Sequence, residues 1–218
     1  MPGLRSVLEP STETRRESSA TFRMNETRLH AALRTVTRDL EEAKAACALV
    51  GGLAVSARTE PRFTRDVDLA VSVSHDRDAE TLTNSFRLRG YRVAAIVEQE
   101  STGRLATVRL VPSGDVGLFV DLLFASSGIE SEIVAAADPI EIIEGLSIPV
   151  ATIAHLIATK VLSLDDVRRP QDRMDLTALL AEASERDLLM AREALRLIGT
   201  RGFHRGKDLL SGLDSLLA

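Results

Sequence analysis

Two aspartates separated by a single residue, Asp66 and Asp68, open an apolar run that continues to Val73. Successive side chains of a β-strand point to opposite faces, so a strand here would place both carboxylates on one face of a sheet. Adjacent carboxylates repel each other, and near neutral pH a cation must lie between them or one must keep its proton. Carboxylate oxygens suit Mg²⁺, which commonly binds one or two protein carboxylates together with substrate phosphates. The pair therefore predicts a site of metal-dependent phosphate chemistry.

A third acid, Asp121, lies inside the apolar segment 118–124. A carboxylate in a buried strand needs a charged partner, and a metal shared with Asp66 and Asp68 on a neighbouring strand would provide one. Such a group could hold two cations, one activating an attacking hydroxyl and the other holding a triphosphate, and Asp121 could help remove the hydroxyl proton. The alternative is that Asp121 ends a strand on the solvent face and pairs with an arginine.

Composition excludes several classes of protein. The chain has 218 residues and a net charge of -5, which argues against a protein that coats nucleic acid nonspecifically. Its single cysteine, Cys47, allows no intramolecular disulfide and no cysteine zinc cage. No apolar run approaches the roughly 18 residues that span a bilayer, and no signal peptide is visible. We expect a cytoplasmic protein that does not enter a membrane.

The pattern divides the chain into three parts. Residues 1–23 are rich in Ser, Thr, Arg and Glu and have few large apolar side chains, so they predict a disordered leader. Residues 24–148 alternate helical and strand patterns, which predicts an α/β core made of a mixed sheet with flanking helices. Residues 149–218 carry leucines at helical spacing and predict a helical C-terminal subdomain.

Gly51 and Gly52 precede a short predicted helix. Glycines at a helix start let backbone N–H groups approach an anion closely, although a tight strand-to-helix turn would use the same residues. Arg62 and Thr64 share strand parity with the two aspartates that follow them, so both are candidates for the same face and for a polyphosphate ligand. A solvated loop charge is the alternative for any one arginine.

A lysine lies beside an apolar helical stripe in the C-terminal part. Thr152 can cap a helix on which Ile157 and Lys160 share a broad, otherwise apolar face. That position is unusual for an ammonium group. An ion pair from Lys160 to Asp172 or Asp175, tying two helices together, is one explanation, and phosphate binding is another that does not exclude it.

The combined pattern, G-G-x-A-V followed by R-x-T-x-D-V-D-L and a later acid in an apolar strand, resembles the nucleotidyltransferase superfamily, whose palm-like fold is shared with DNA polymerase beta. Over about residues 45–182 it looks most like the branch that includes the AbiEii and MenT toxins. Gly52 departs from many members, which have serine there; Thr64 or a backbone N–H would replace the missing hydroxyl donor. The resemblance implies these site residues: Asp66, Asp68 and Asp121 as metal ligands, Gly51 and Gly52 facing the nucleotide phosphates, Lys160 holding the triphosphate, and Asp172 orienting Lys160 or the base.

The resemblance also implies a reaction. An acceptor hydroxyl would attack the α-phosphate of a nucleoside triphosphate such as ATP, with Mg²⁺ or Mn²⁺ as cofactor and pyrophosphate as leaving group. Toxins of this branch suggest a tRNA 3′ end as acceptor and a separate antitoxin protein as partner. A small molecule such as an aminoglycoside, or a protein hydroxyl, is the alternative acceptor. A noncatalytic protein that binds nucleotide or a partner is the alternative from a different class.

The densest basic stretch after the core is 201–207, with two arginines, a histidine and a lysine. It could contact RNA or a phosphate backbone. Because it contains only one aromatic residue, an ordinary turn between helices is the favoured interpretation.

Overall fold

The computed structural model describes residues 28–62, 64–114, 117–165 and 169–217. The predicted leader over 1–23 lies outside the described residues. The N-terminal elements are α1 (28–42), β1 (Cys47–Val50), α2 (Gly51–Arg58), β2 (Asp66–Val71), α3 (Asp76–Leu88), β3 (Arg92–Glu98), β4 (Leu105–Val111) and β5 (Phe119–Leu123). After them come α4 (Glu130–Ala136), β6 (Asp138–Ile143), β7 (Leu146–Val150), α5 (Ile153–Ser163), α6 (Pro170–Glu182), α7 (Glu185–Thr200) and α8 (Leu209–Leu217).

The strands form one sheet in the order β3-β4-β5-β2-β1-β7-β6. The pairs β2–β5 and β1–β7 are parallel, and the remaining neighbours are antiparallel. The predicted α/β fold with a mixed sheet and flanking helices is thereby confirmed.

The central strands are apolar because they are covered on both faces. In β2, Leu69, Ala70 and Val71 are all buried, which explains why the run after the aspartates does not alternate with polar residues. Helix α1 covers part of the sheet with side chains at helical spacing, and Leu33 and Leu40 are fully buried. The aspartates therefore stand at the start of a strand whose remaining length lies in the core.

Every described element after β7 is helical. Helix α5 lies at the centre of this part, with Leu156 and Ile157 fully buried, and it packs against α6, α7 and α2. Strand β7 runs to Val150, so the sheet crosses the predicted boundary between 148 and 149. The division into a core and a helical subdomain remains a prediction.

Helix α4 and the hairpin of β6 and β7 were not predicted from the sequence. Proline is unfavourable inside a sheet, and this hairpin contains Pro139 and Pro149, which lie opposite each other. Strand β6 is at the sheet edge, where the missing N–H of a proline is tolerated. Within the described part of the chain, no helix is both long enough and apolar enough to cross a membrane.

Candidate functional site

The strand register brings together the three acids that the sequence singles out. Strands β2 and β5 run parallel, and Asp68 is the direct partner of Asp121. Asp66 lies two residues before Asp68 and therefore on the same face. These three side chains, Asp66, Asp68 and Asp121, are called the acid cluster below.

Arg109 joins this cluster and was missed from the sequence. It lies on β4 directly opposite Asp121, with Nε 2.8 Å from Asp121 Oδ1 and Nη2 2.6 Å from Oδ2. The same Nη2 is 3.8 Å from Asp66 Oδ2, and the guanidinium carbon lies 4.9 Å from the centre of the Phe119 ring. Asp121 thus does pair with an arginine, as the alternative interpretation held, but it does so on the face that carries the other acids.

The acid cluster has three carboxylates and is contacted by one guanidinium group, that of Arg109. Burial, together with the neighbouring charges of Asp121 and Asp66, raises the pKa of Asp68 to about 6. Burial also raises the pKa of Asp66, against the opposing effect of Arg109. Among the described residues, nothing forms a hydrogen bond or ion pair with the Asp68 side chain. The acid cluster is therefore a place where an additional cation would be stabilised.

As placed, these side chains do not already enclose a metal. No group of three or more His, Cys, Asp or Glu residues in the described ranges is arranged to hold an ion. The reason at Asp121 is that Arg109 binds both carboxylate oxygens. The donor chemistry still fits Mg²⁺ or Mn²⁺, since all the available ligands are carboxylate oxygens and Asp68 has no partner.

The glycine pair lies directly against the acid cluster. Gly51 has a φ of +64°, and a Cβ there would lie 2.0 Å from Asp68 Oδ2. Only glycine satisfies both the left-handed backbone and this contact. Helix α2 begins at Gly51, without a side-chain cap and without an acid in its first turn. Its first N–H groups are therefore not covered by a capping side chain.

The second glycine explains the departure from Gly-Ser. A Cβ at Gly52 would lie 2.8 Å from Arg62 Nη2 and 3.0 Å from Thr64 Oγ1. A serine side chain would need this space, and the hydroxyl of Thr64 already lies next to it. Thr64 is thus suitably placed to be the donor that a serine at 52 would have supplied.

A second group of charges lies across from the acids. Lys160 Nζ lies 2.6 Å from Asp172 Oδ1 and 2.7 Å from Asp175 Oδ2. Arg62 binds Asp175 with two contacts, of 2.6 and 2.7 Å. Burial alone would raise the pKa of Asp175, but the hydrogen bonds from Arg62 and Lys160 outweigh it and lower that pKa. We call Arg62, Lys160, Asp172 and Asp175 the paired cluster; it ties α5 to α6 and to the segment before β2.

A cavity of about 420 Å³ separates the two clusters. Asp121 is 7% exposed and is not one of its lining residues. The sequence-predicted residues that line it are Gly51, Gly52, Arg62, Thr64, Asp66, Asp68, Lys160 and Asp172. Polar residues outside the predicted site also line it, namely Ser126, Ser127, Glu130, Thr159, Ser163, Arg169, Gln171 and Arg205.

Glu130 is a buried acid of the cavity wall that was not singled out in the sequence. Its buried carboxylate accepts hydrogen bonds from the backbone N–H of Ser127 at 2.6 Å and from the Ser127 hydroxyl at 2.9 Å. Glu130 is the first residue of α4, and Ser127 lies in the loop that leads into this helix. The loop 126–129 lines this side of the cavity through Ser126 and Ser127.

Comparison with known proteins identifies a family. The profile of one family, described as nucleotidyl transferase AbiEii toxin, type IV TA system, matches residues 34–212. No curated protein is significantly similar to the chain.

Several solved structures are similar. An antigenic nucleotidyltransferase-like protein from Paracoccidioides brasiliensis is 20% identical with a TM-score of 0.49, over 85% of this chain and 92% of that one. ANT(2")-Ia in complex with adenylyl-2"-tobramycin is 16% identical with a TM-score of 0.49, over 78% and 97%. The lincomycin-bound lincosamide antibiotic adenylyltransferase LnuA is 14% identical with a TM-score of 0.46, over 69% and 96%. Since the family profile spans most of the chain, this protein belongs to the AbiEii nucleotidyltransferase toxin family and is a nucleotidyltransferase enzyme.

Proposed function

We propose that this nucleotidyltransferase moves a nucleoside monophosphate from a nucleoside triphosphate, such as ATP, to a hydroxyl at a tRNA 3′ end. It would act in the cytoplasm as the toxin of a toxin–antitoxin pair, with a separate antitoxin protein as its partner. The main support for the proposal is the unpaired carboxylate of Asp68, which lies against Gly51 and beside two further acids. Helix α2 begins at the same place without a side-chain cap.

The phosphates of the nucleotide would lie between α2 and the paired cluster. The first backbone N–H groups of α2 can donate to an anion, and the helix dipole favours negative charge at that end of the helix. The hydroxyl of Thr64 would donate to the same phosphates. Lys160 uses two of its three N–H donors on Asp172 and Asp175, which leaves one for a phosphate oxygen. The two acids thus hold the ammonium group in place before the substrate arrives.

Mg²⁺ or Mn²⁺ held by Asp66, Asp68 and Asp121 would supply charge neutralisation at the transferred phosphate. In the reaction the hydroxyl oxygen forms a bond to the α-phosphorus while the bond from that phosphorus to the bridging oxygen breaks. Pyrophosphate leaves, and the hydroxyl proton passes to Asp121. Because Arg109 binds both oxygens of Asp121, that pair must open before Asp121 can accept the proton.

The experiment is incubation of the protein with Mg²⁺, total RNA and each nucleoside triphosphate labelled at the α-phosphate. We expect label on tRNA with the parent protein and none with Asp68→Ala. Asp138→Ala is the control, since it removes a carboxylate that is 60% exposed and outside the cavity. Label on a small-molecule or protein acceptor instead would contradict the tRNA assignment, and binding of nucleotide without transfer to any acceptor would contradict the activity.

Expression in cells tests the toxin assignment separately. We expect growth arrest with the parent protein, no arrest with Asp68→Ala, and relief by a cognate antitoxin. Normal growth of cells that contain active enzyme would contradict the toxin role while leaving the transfer reaction intact.

A further inference from the structure

The basic stretch 201–207 is a turn, and two of its cations hold that turn in place. Arg201 pairs with Glu132 through contacts of 2.6 and 3.0 Å. Lys207 Nζ donates to the carbonyl oxygens of Leu162 and Leu164 at 2.7 and 2.8 Å, which covers the end of α5. Both cations are used by the fold, and the turn is fixed at each end.

The third cation, Arg205, has a smaller set of contacts. Its Nη2 donates to the carbonyl oxygen of Ser126 at 3.0 Å, and no acid of the described ranges lies within ion-pair distance of it. Its backbone is left-handed, with a φ of 55°, and it is followed by Gly206 with a φ of 73°. The chain thus holds Arg205 in an unfavourable conformation at the wall of the cavity.

Arg169 lines the same cavity and is close enough to act on Arg205. The pKa of Arg205 is lowered, first by burial and then by the charge of Arg169. Among the described residues, the side chain of Arg169 forms one long ion pair, 3.6 Å from Asp172, and it is 60% exposed. Glu130, the acid whose charge acts on Arg205, is already bound by Ser127. Two guanidinium groups that destabilise each other across a cavity are stabilised by an anion between them.

Arg205 lies away from the predicted nucleotide phosphates, whereas Arg169 is next to Asp172, on the carboxylate oxygen that Lys160 does not contact. Ala70 and Leu123 line the cavity and form the strand pair two positions beyond Asp68 and Asp121, which is roughly 7 Å along the strands. Ser126, the partner of Arg205, follows the end of β5, whereas Gly51 contacts Asp68 itself. The acids therefore stand between a phosphate-binding end at α2 and an arginine end at 126–130.

We propose that Arg169 and Arg205 form a phosphate-binding subsite for the acceptor, which takes a backbone phosphate of a polynucleotide whose terminal hydroxyl reaches the acid cluster. The inference rests on the proposed function and specifies its acceptor as a polyanion. The same two charges would repel a polycationic acceptor such as an aminoglycoside.

The test measures binding of RNA to the protein under conditions in which no nucleotide is transferred. A short single-stranded RNA with a free 3′ hydroxyl and a fluorescent 5′ label is titrated with protein in EDTA over a range of salt concentrations. We expect Arg205→Gln to weaken RNA binding by about tenfold. The slope of the logarithm of the binding constant against the logarithm of the salt concentration should fall in magnitude by about 0.7, the value for one lost phosphate contact on a single strand. Arg186→Gln is the matched control because it removes the same charge from the exposed start of α7. A fluorescent, non-hydrolysable nucleoside triphosphate should bind all three proteins equally.

Equal RNA binding by Arg205→Gln and Arg186→Gln would overturn the subsite. Loss of triphosphate binding with unchanged RNA binding would also overturn it, because the arginines would then serve the nucleotide. Arg205→Lys keeps the charge and should recover most of the RNA affinity, and Arg169→Gln should reproduce the loss if Arg205→Gln lowers the melting temperature. RNA binding that depends on Arg205, in a protein that transfers nothing to RNA, would refute the proposed function and leave the subsite standing.

Discussion

The acid cluster and the paired cluster face each other across one cavity and use the same kinds of residue, yet they differ in charge balance. In the paired cluster, Arg62 and Lys160 are matched by Asp172 and Asp175, and the pKa of Asp175 is lowered. In the acid cluster, Arg109 is the cation within ion-pair distance of the carboxylates among the described residues, and the pKa of Asp68 is raised to about 6.

The charge balance indicates that the paired cluster stabilises the fold and that the acid cluster is suited to bind a cationic ligand. Removing a buried carboxylate that has two cationic partners leaves charge uncompensated and is strongly destabilising. An unpaired carboxylate next to two others does the opposite, so a fold that keeps it does so at some cost in stability. We therefore expect substitutions in the paired cluster to lower stability first, and substitutions in the acid cluster to lower activity first.

The largest expected effect is on stability, at Asp175. This residue is 1% exposed and binds both Arg62 and Lys160. Asp175→Ala should lower the free energy of unfolding by about 3–5 kcal/mol, because the side chain of Arg62 loses its carboxylate partner. Denaturant unfolding measures this. The pair of Arg58 with Asp138, whose carboxylate is 60% exposed, is the reference, and Asp138→Ala should cost about 0–1 kcal/mol. Equal losses in the two variants would remove the distinction between the clusters.

Asp68→Asn should have the converse effect. Transfer should fall by about 10²–10³-fold, comparable to the loss of one charge-stabilising group in an active site. The free energy of unfolding should stay the same or rise, because a repulsive charge has been removed. Transfer rates and unfolding curves measured on one preparation separate the effect on activity from the effect on stability. A large loss of stability would mean that Asp68 is a structural residue.

Gly51→Ala should damage both properties. The left-handed backbone alone costs roughly 1–2 kcal/mol for an alanine, and the added methyl group displaces the Asp68 carboxylate. Gly145 is the matched control, since it has a φ of +71° and open space around its Cβ position. Gly145→Ala should show the backbone cost and keep full transfer activity. Full activity in Gly51→Ala would contradict the close contact between the glycine and the acid cluster.

Arg109→Gln should strengthen metal binding. Arg109 is the one cation that contacts the acid cluster within the described residues, and its removal should tighten Mn²⁺ binding by about tenfold in the absence of nucleotide. Arg104→Gln is the matched control, because Arg104 is 37% exposed, against 39% for Arg109, and pairs with a distant acid, Asp76. Mn²⁺ affinity is read by calorimetry, and weaker binding in Arg109→Gln would show that Arg109 positions the acids instead of competing for them.

The smallest expected effect is at His155, outside both clusters. Burial lowers its pKa, so below the ordinary value near 6.5 the unfolded chain binds more protons than the folded one. Stability should therefore fall as the pH drops from about 7.5 to about 5.5, by at most about 1.4 kcal/mol per pH unit from this residue. His155→Gln should remove that part of the loss, and an identical pH dependence in parent and variant would refute it.

Local patterns were sufficient for the central strands of the sheet. The spacing of Asp66 and Asp68 fixes their common face, and an acid inside an apolar strand needs a partner whatever the topology. The contact between Arg109 and Asp121 could not be predicted in the same way. It depends on the register of β4 against β5, and register is set by packing over the whole sheet.

The far side of the cavity was harder to predict for a similar reason. Helix α4 has seven residues, too few for a helical period to stand out. Arg205 belongs to a stretch that the sequence favoured as an ordinary turn, and it is a turn. Its approach to Ser126 joins residues 79 positions apart, which no local pattern records.

The most direct test of the contrast between the clusters is Mn²⁺ binding, measured by calorimetry with a non-hydrolysable nucleoside triphosphate present. Three proteins are compared: the parent, Asp68→Asn, and the conservative Asp175→Asn at a temperature where it is folded. We expect the parent and Asp175→Asn to bind Mn²⁺ and Asp68→Asn to lose this binding. Equal binding by the parent and Asp68→Asn would contradict the claim that the unpaired acids hold the metal.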